Sequence, residues 1–133
     1  MNAISAAKTK KPILLVDDDD IDVMSLERQF KKLAITNPLV RKKNGIEAIN
    51  YLHDEGLEIE FAAILVDINM PKKNGLEFLS DLRRELPDKA RNVYIFTTSD
   101  SLAEQSTAEA LHVSGFVYKQ DIAQGLKGIN FDD

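Results

Sequence analysis

Residues 61–75 read FAAILVDINMPKKNG, and the order of residue types in this stretch decides the fold. Ala62 to Val66 is short, unbroken and rich in branched side chains, which suits a strand buried on both faces better than an amphipathic helix. Asp67 then stands at the start of a turn. Pro71 and Asn74-Gly75 punctuate the chain before a new helical pattern begins. A strand ending in a carboxylate and a tight loop is common at the ligand edge of open α/β sheets. An aspartate after a strand is also, and more often, a turn former or helix cap, so the meaning of Asp67 depends on what the other strand ends bring to it.

Upstream, Pro12 to Val16 (PILLV) is a second short apolar run, and it ends in the four carboxylates of residues 17–20. One or two of these are explained by Asp19 or Asp20 capping the helix that follows and by the positive end of its dipole. Four crowded like charges call for a cation or strong solvation. Val23, Leu26, Phe30 and Leu33 recur at spacings of three and four and predict a helix over 20–33. Leu39 to Lys42 reads as a more exposed edge strand. Asn44-Gly45 opens a second helix carrying Ile46, Ile49, Tyr51 and Leu52. Downstream of Asp67, Leu76, Leu79, Leu82 and Leu86 make a third amphipathic helix that Pro87 closes. Val93 to Phe96 (VYIF) is a buried strand ending at Thr97-Thr98-Ser99. A helix over 101–111 has Ala103, Ala108 and Ala110 as its inner side. Gly115 to Tyr118 (GFVY) ends in Lys119, and Asp121 caps a short last helix with Ile122, Leu126 and Ile129.

Five strands alternate with five helices, without internal repeat or low-complexity segment, which implies one parallel sheet covered on both faces, with right-handed crossovers. In a parallel sheet the carboxyl ends of the strands share one edge. Asp17 and Asp18, Asp67, Thr97 and Lys119 each follow a different strand, so they converge.

The composition narrows the function classes. At 133 residues, 44% hydrophobic and 29% charged, the chain fits one soluble domain, expected over 11–129 between a polar tail at 1–10 and a short tail at 130–133. A net charge of −5 argues against a general nucleic-acid binder, which needs a basic face for phosphates. The absence of cysteine excludes disulfides, thiolate metal sites and a cysteine nucleophile, and no apolar stretch is long enough for a bilayer. A cytoplasmic location is expected.

The carboxylates supply hard oxygens, too few to complete an octahedron, which favours Mg²⁺ with its retained waters. His53 and His112 are expected on helices away from this edge, as ordinary surface or boundary residues. A carboxylate left free to attack can take a phosphoryl group as an acyl phosphate. The metal and Lys119 would offset its charge, and the Thr97 hydroxyl would donate to one phosphoryl oxygen.

VDD after the first strand, LVDINMPKKNGLEFL around Asp67, FTTS after the fourth and VYK after the fifth together resemble a response-regulator receiver domain, over the span from Lys11 to Lys127. The resemblance implies a flavodoxin-like (βα)5 α/β fold, with a parallel sheet of strand order 2-1-3-4-5. It also implies Asp67 as phosphoacceptor, Asp18 as direct Mg²⁺ ligand, Asp17 holding the metal through water, and the Asn69 main-chain carbonyl completing the protein ligands. Thr97 becomes the switch hydroxyl, Lys119 the phosphoryl partner and Phe116 the aromatic that follows the switch. Asn69 and Ser99 flank the site. The donor would be a sensor histidine kinase or histidine phosphotransfer protein, and the output a protein target met through helix four, strand five and helix five, in a stand-alone receiver rather than an enzyme with a turnover substrate. The DDDDIDV, ITNPL and FTTS segments resemble a subgroup that includes partners of phytochrome-like sensor kinases, and a homodimer is admitted as a further partner. One departure is Gln120, where the family has proline after the lysine, so a trans peptide is expected, because cis costs about 2.5–4 kcal/mol without proline. Two alternatives stay open. One is an aspartate-nucleophile phosphohydrolase of haloacid-dehalogenase type, whose D-x-D Asp17 and Asp19 satisfy; the other is a receiver-like interaction module that is never phosphorylated.

Overall fold

Alternation of side-chain direction along the strands is what divides this molecule into layers. A computed structural model describes residues 10–70, 72–98 and 101–132. Residues 1–9 of the expected N-terminal tail, Pro71 of the expected turn, and Ser99, Asp100 and Asp133 lie outside the described residues. In chain order the elements are β1 (Ile13–Val16), α1 (Asp20–Lys32), β2 (Leu39–Lys42), α2 (Gly45–His53), β3 (Ala63–Val66) and α3 (Gly75–Glu85). They continue with β4 (Val93–Thr97), α4 (Leu102–Ala110), β5 (Gly115–Tyr118) and α5 (Ile122–Lys127), with single 3-10 turns at Pro87–Lys89 and Lys119–Asp121.

The strands pair in parallel in the order β2-β1-β3-β4-β5, the flavodoxin-like order. Successive side chains of a strand point to opposite faces. Leu14, Val16, Ile64, Val66 and Ile95 therefore pack with Leu52 of α2, Phe78, Leu79 and Leu82 of α3 and Ala108 of α4. Ile13, Leu15, Leu65, Phe96 and Val117 pack on the other side with Leu26 and Phe30 of α1 and Ile122 and Leu126 of α5. β1 and β3 are buried at every position, whereas β2 is half-buried throughout, as an edge strand should be. Each fully buried Leu or Ile contributes about 1.5–3 kcal/mol relative to exposure, so the two central strands anchor the fold.

Some expectations need correction. In α4 only Ala108 is buried, while Ala103 and Ala110 are exposed. A 3.6-residue period through Ala108 brings Glu104, Gln105 and Leu111 to its side, not the other alanines. Asp121 occupies the position before α5 but makes no side-chain cap bond, because a 3-10 turn already leads into the helix. Ile129 lies beyond α5 and reaches the core from the following segment. His112 is not helical: it follows α4 with φ 62°. His53 ends α2 and pairs with Glu85 at 2.7 Å. The described peptide bonds are all trans, including the one before Gln120.

Candidate functional site

Register places the first two acids. Val16 and Val66 are direct partners across β1 and β3, so Asp17 and Asp67 leave the sheet side by side. This is where the chain, having gone from β1 outward to β2, returns to the other side of β1, the crevice that binds ligands in open α/β sheets. Asp17 is fully buried and Asp67 nearly so. Each commits one oxygen to its own loop: Asp17 Oδ1 accepts the Asp19 N–H at 2.9 Å, and Asp67 Oδ1 accepts the Asn69 N–H at 3.2 Å. The other oxygen of each faces Lys119, whose Nζ lies 3.0 Å from Asp17 Oδ2 and 3.2 Å from Asp67 Oδ2. The Lys119 ammonium also stands 5.1 Å over the centroid of the Phe96 ring, which gives the cation a favourable aromatic face.

Thr97 closes β4, next to β3, and is buried. Asp18 and Asn69 are exposed. Burial is the main cause that raises the Asp67 carboxyl pKa, and the nearby Asp18 adds to it in the same direction. Phe116 is half-buried and stacks in parallel on Tyr118, ring centroids 6.0 Å apart. The Tyr118 hydroxyl accepts from Gln105 Nε2 of α4 at 3.1 Å.

Two residues were missed by the sequence reading. Asp22, in the first turn of α1, places Oδ2 2.6 Å from Lys119 Nζ. The signal was available, since Asp22 precedes the buried Leu26 and Phe30 by four and eight residues and so shares their row on the helix. Arg41 of β2 donates from Nε to the Asp17 carbonyl at 2.8 Å and pairs with Asp20 Oδ1 at 2.8 Å. It thereby ties the edge strand to the acidic loop, and part of the four-aspartate crowding is answered by this guanidinium.

Burial pushes the Asp17 carboxyl from 3.8 up to about 6, against the pull of the Asp19 N–H and the Lys119 ammonium. Burial also raises Asp67, with Lys119 opposing. Burial disfavours the charged Lys119, but Asp22, Asp17 and Asp67 outweigh it and hold its pKa above the ordinary lysine value. Asp17, Asp22 and Asp67 each bring an oxygen within 4.8 Å of the others. Oδ2 of Asp17 is buried and accepts no well-formed hydrogen bond, although the ammonium is near. The Asp17 and Asp67 oxygens, hard and part-satisfied, fit a divalent cation such as Mg²⁺ or Mn²⁺, whereas the Asp22 oxygen is engaged by Lys119 at 2.6 Å.

The loop after Asp67 is held by close backbone approach. A Cβ on Gly75 would lie 2.2 Å from the Asp67 carbonyl oxygen, so only glycine lets α3 start there. Lys72 takes the left-handed conformation, φ 62°, that the turn requires. Gly45 N–H donates to the Lys73 carbonyl at 3.1 Å, joining the start of α2 to this loop.

A family model for the response regulator receiver domain matches residues 13–129. The chain belongs to this family. The receiver is similar to Response regulator Rcp1 of Synechocystis sp., 30% identical over 127 residues, spanning 90% of this chain and 86% of that protein. A Probable methanogenesis regulatory protein FilR2 of Methanothrix harundinacea is 32% identical over 117 residues, 86% of this chain and 76% of that one. The crystal structure of the Mn²⁺-bound form of Rcp1 superposes with a TM-score of 0.74 at 28% identity, covering 89% of this chain and 90% of that one. The phosphorylated cyanobacterial phytochrome response regulator RcpA gives 0.76 at 25% identity, covering 90% of each chain. As a receiver, the protein is a signalling phosphoacceptor of two-component systems rather than an enzyme with a turnover substrate. Receivers are phosphorylated by histidine kinases. The phosphohydrolase alternative falls with this assignment and with the geometry: Asp19, the second acid of the D-x-D, turns its Oδ1 onto the Ile21 N–H at 2.8 Å as the cap of α1. No helix among the described residues is long and apolar enough to cross a membrane.

Proposed function

We propose that Asp67 is the phosphoacceptor, and that this receiver takes its phosphoryl group from the phosphohistidine of a sensor kinase or phosphotransfer protein with Mg²⁺ bound. The observation that carries this reading is the single ammonium of Lys119 within 3.2 Å of both strand-end carboxylates, Asp17 and Asp67. A carboxylate oxygen of Asp67 attacks phosphorus in line. The O–P bond forms as the N–P bond breaks, and the pair of electrons leaves on the donor imidazole, which takes up a proton. Lys119 balances charge on the transferring group, and Thr97, buried at the end of β4, donates its hydroxyl to a phosphoryl oxygen. Asp17, Asp18 and the Asn69 carbonyl, with Asp67, would hold the Mg²⁺, which supplies charge neutralisation to the phosphoryl oxygens when bound. Hydrolysis later returns the aspartate.

Readout passes from Thr97 to Phe116 and to the face of α4, β5 and α5. The thin packing of α4, with one buried residue, supports its being the element that moves. The likeness to regulators named for phytochromes favours a phytochrome-type sensor kinase as donor, with a protein target downstream, in the cytoplasm. The deciding experiment is phosphate incorporation from acetyl phosphate in Mg²⁺. Asp67→Asn is expected to lose it entirely. Equal labelling of that variant at this site sinks the mechanism, and a wild-type chain that never labels points to the pure interaction module.

A further inference from the structure

Lys119 has more suitors than its role requires. An ammonium has three N–H donors, and three carboxylate oxygens surround this one, at 2.6 Å from Asp22, 3.0 Å from Asp17 and 3.2 Å from Asp67. The shortest and best-formed of these bonds goes to Asp22, a residue outside the strand ends. We propose that Asp22 is a positioning residue that competes with the Asp67 phosphoryl group for the Lys119 ammonium, and so restrains both the formation and the lifetime of the acyl phosphate. This rests on Asp67 being the phosphoacceptor.

Three observations support it. Asp22 is held rather than adaptable. It lies in the capped first turn of α1, in the same row as the buried Leu26, with its side chain only 25% exposed. Its charge has one partner among the described ion pairs, because the neighbouring acid of the same turn, Asp20, is taken by Arg41. The third is chemical. When Asp67 is converted to the acyl phosphate, its carboxylate charge disappears and the anionic oxygens lie one bond further out, on phosphorus. Lys119 must follow them, and with its side chain only 10% exposed its strongest restraint is the Asp22 bond rather than water. The new phosphoryl charge also repels Asp22. Asp22 touches no reacting atom in this scheme; it acts through the lysine.

The test uses the full chain with acetyl phosphate at saturating Mg²⁺. In the forward step the Asp67 oxygen bonds to phosphorus as acetate leaves with the bonding pair. In decay, a water oxygen bonds to phosphorus, the Asp67 carboxylate leaves, and the water proton goes to solvent. Asp22→Asn, which keeps the shape and removes the charge, is expected to phosphorylate about fivefold faster and decay about fivefold more slowly, the factor one part-exposed ion pair supports. Asp22→Ser should match it, and Asp22→Glu should return both rates toward wild type. Mg²⁺ affinity, read by titration calorimetry without any phosphodonor, should stay within about twofold, a readout that separates lysine positioning from metal ligation. Unchanged rates overturn the proposal. Slower phosphorylation with weakened Mg²⁺ binding also overturns it and makes Asp22 a metal ligand instead. Failure of the underlying reading is distinct, because Asp67→Asn would then label or the wild type would not.

Discussion

A single hydrogen-for-methyl exchange at Gly75 tests how tightly the loop after Asp67 is built. No described glycine has positive φ, so Gly75 is required for room and not for conformation. Its missing Cβ would meet the Asp67 carbonyl oxygen at 2.2 Å and the Ile68 Cα at 2.9 Å, both main chain that cannot swing aside. Gly75→Ala is therefore expected to cost about 1–3 kcal/mol in urea unfolding. It should also slow phosphorylation of Asp67 by displacing the residue itself; full stability and full rate together would contradict this packing. At the same scale, the acids at strand ends were legible in the sequence because a parallel sheet gathers strand ends without any knowledge of side-chain direction. Arg41 was not, and Asp22 was legible only through the row it shares with Leu26 and Phe30. Each lies inside a helix or strand, where charge is ordinarily a solvated face, and only the row shared with Leu26 or the neighbouring strand turns it toward the site. Asp18 shows the converse, a strand-end acid whose side chain is exposed and stands outside the triad of Asp17, Asp22 and Asp67.

Among the elements, α3 carries the clearest local code. Asn74 Oδ1 accepts the Glu77 N–H at 2.9 Å, and Glu77 Oε1 accepts the Asn74 N–H at 3.0 Å, a reciprocal capping box ahead of a leucine stripe. Because this cap fixes the turn that presses Gly75 on Asp67, Asn74→Ala should lower stability by about 1 kcal/mol. That corresponds to about 3–4 °C in Tm for a chain of this size, measured by circular dichroism. Phosphorylation should survive, since helix packing through Phe78, Leu79 and Leu82 holds the element in place. Elements with such caps and stripes were read to within a residue or two. The face of α4 was misjudged because its sequence, LAEQSTAEA, offers alanines on every side and no stripe to orient it. The weak amphipathy that hid its inner face also leaves it with a single buried residue, which fits the output role proposed for it.

For the whole molecule, the acid cluster makes stability depend on pH and on divalent cations together. The folded-state pKa of Asp17 is raised from 3.8 to about 6 by burial, and that of Asp67 is raised too, so the folded state binds protons more tightly than the unfolded chain. Stability therefore falls as pH rises through about 4 to 6 and levels off above, by at most about 3 kcal/mol from Asp17. Lys119, raised above the ordinary lysine value, gives stability that is fully present throughout this window and is lost only at far higher pH. The lowered carboxyls of Glu60 and Asp81, held down mainly by Lys11 and Lys73, lose their contribution only as pH falls below their unfolded values of 4.5 and 3.8. The acid-side and site effects are thus separable. A divalent cation binds the ionised carboxylates and opposes the loss, stabilising by about 2.7 kcal/mol at a hundredfold excess over its Kd. Thermal unfolding at pH 5 and pH 7.5, with and without Mg²⁺, should show a large Mg²⁺ increment in Tm at pH 7.5 and a small one at pH 5, where protons compete for Asp17. Asp17→Asn should flatten the metal-free profile between those values. An increment equal at both pH values would mean that the ion is held elsewhere, by carboxylates that are not buried in this crevice.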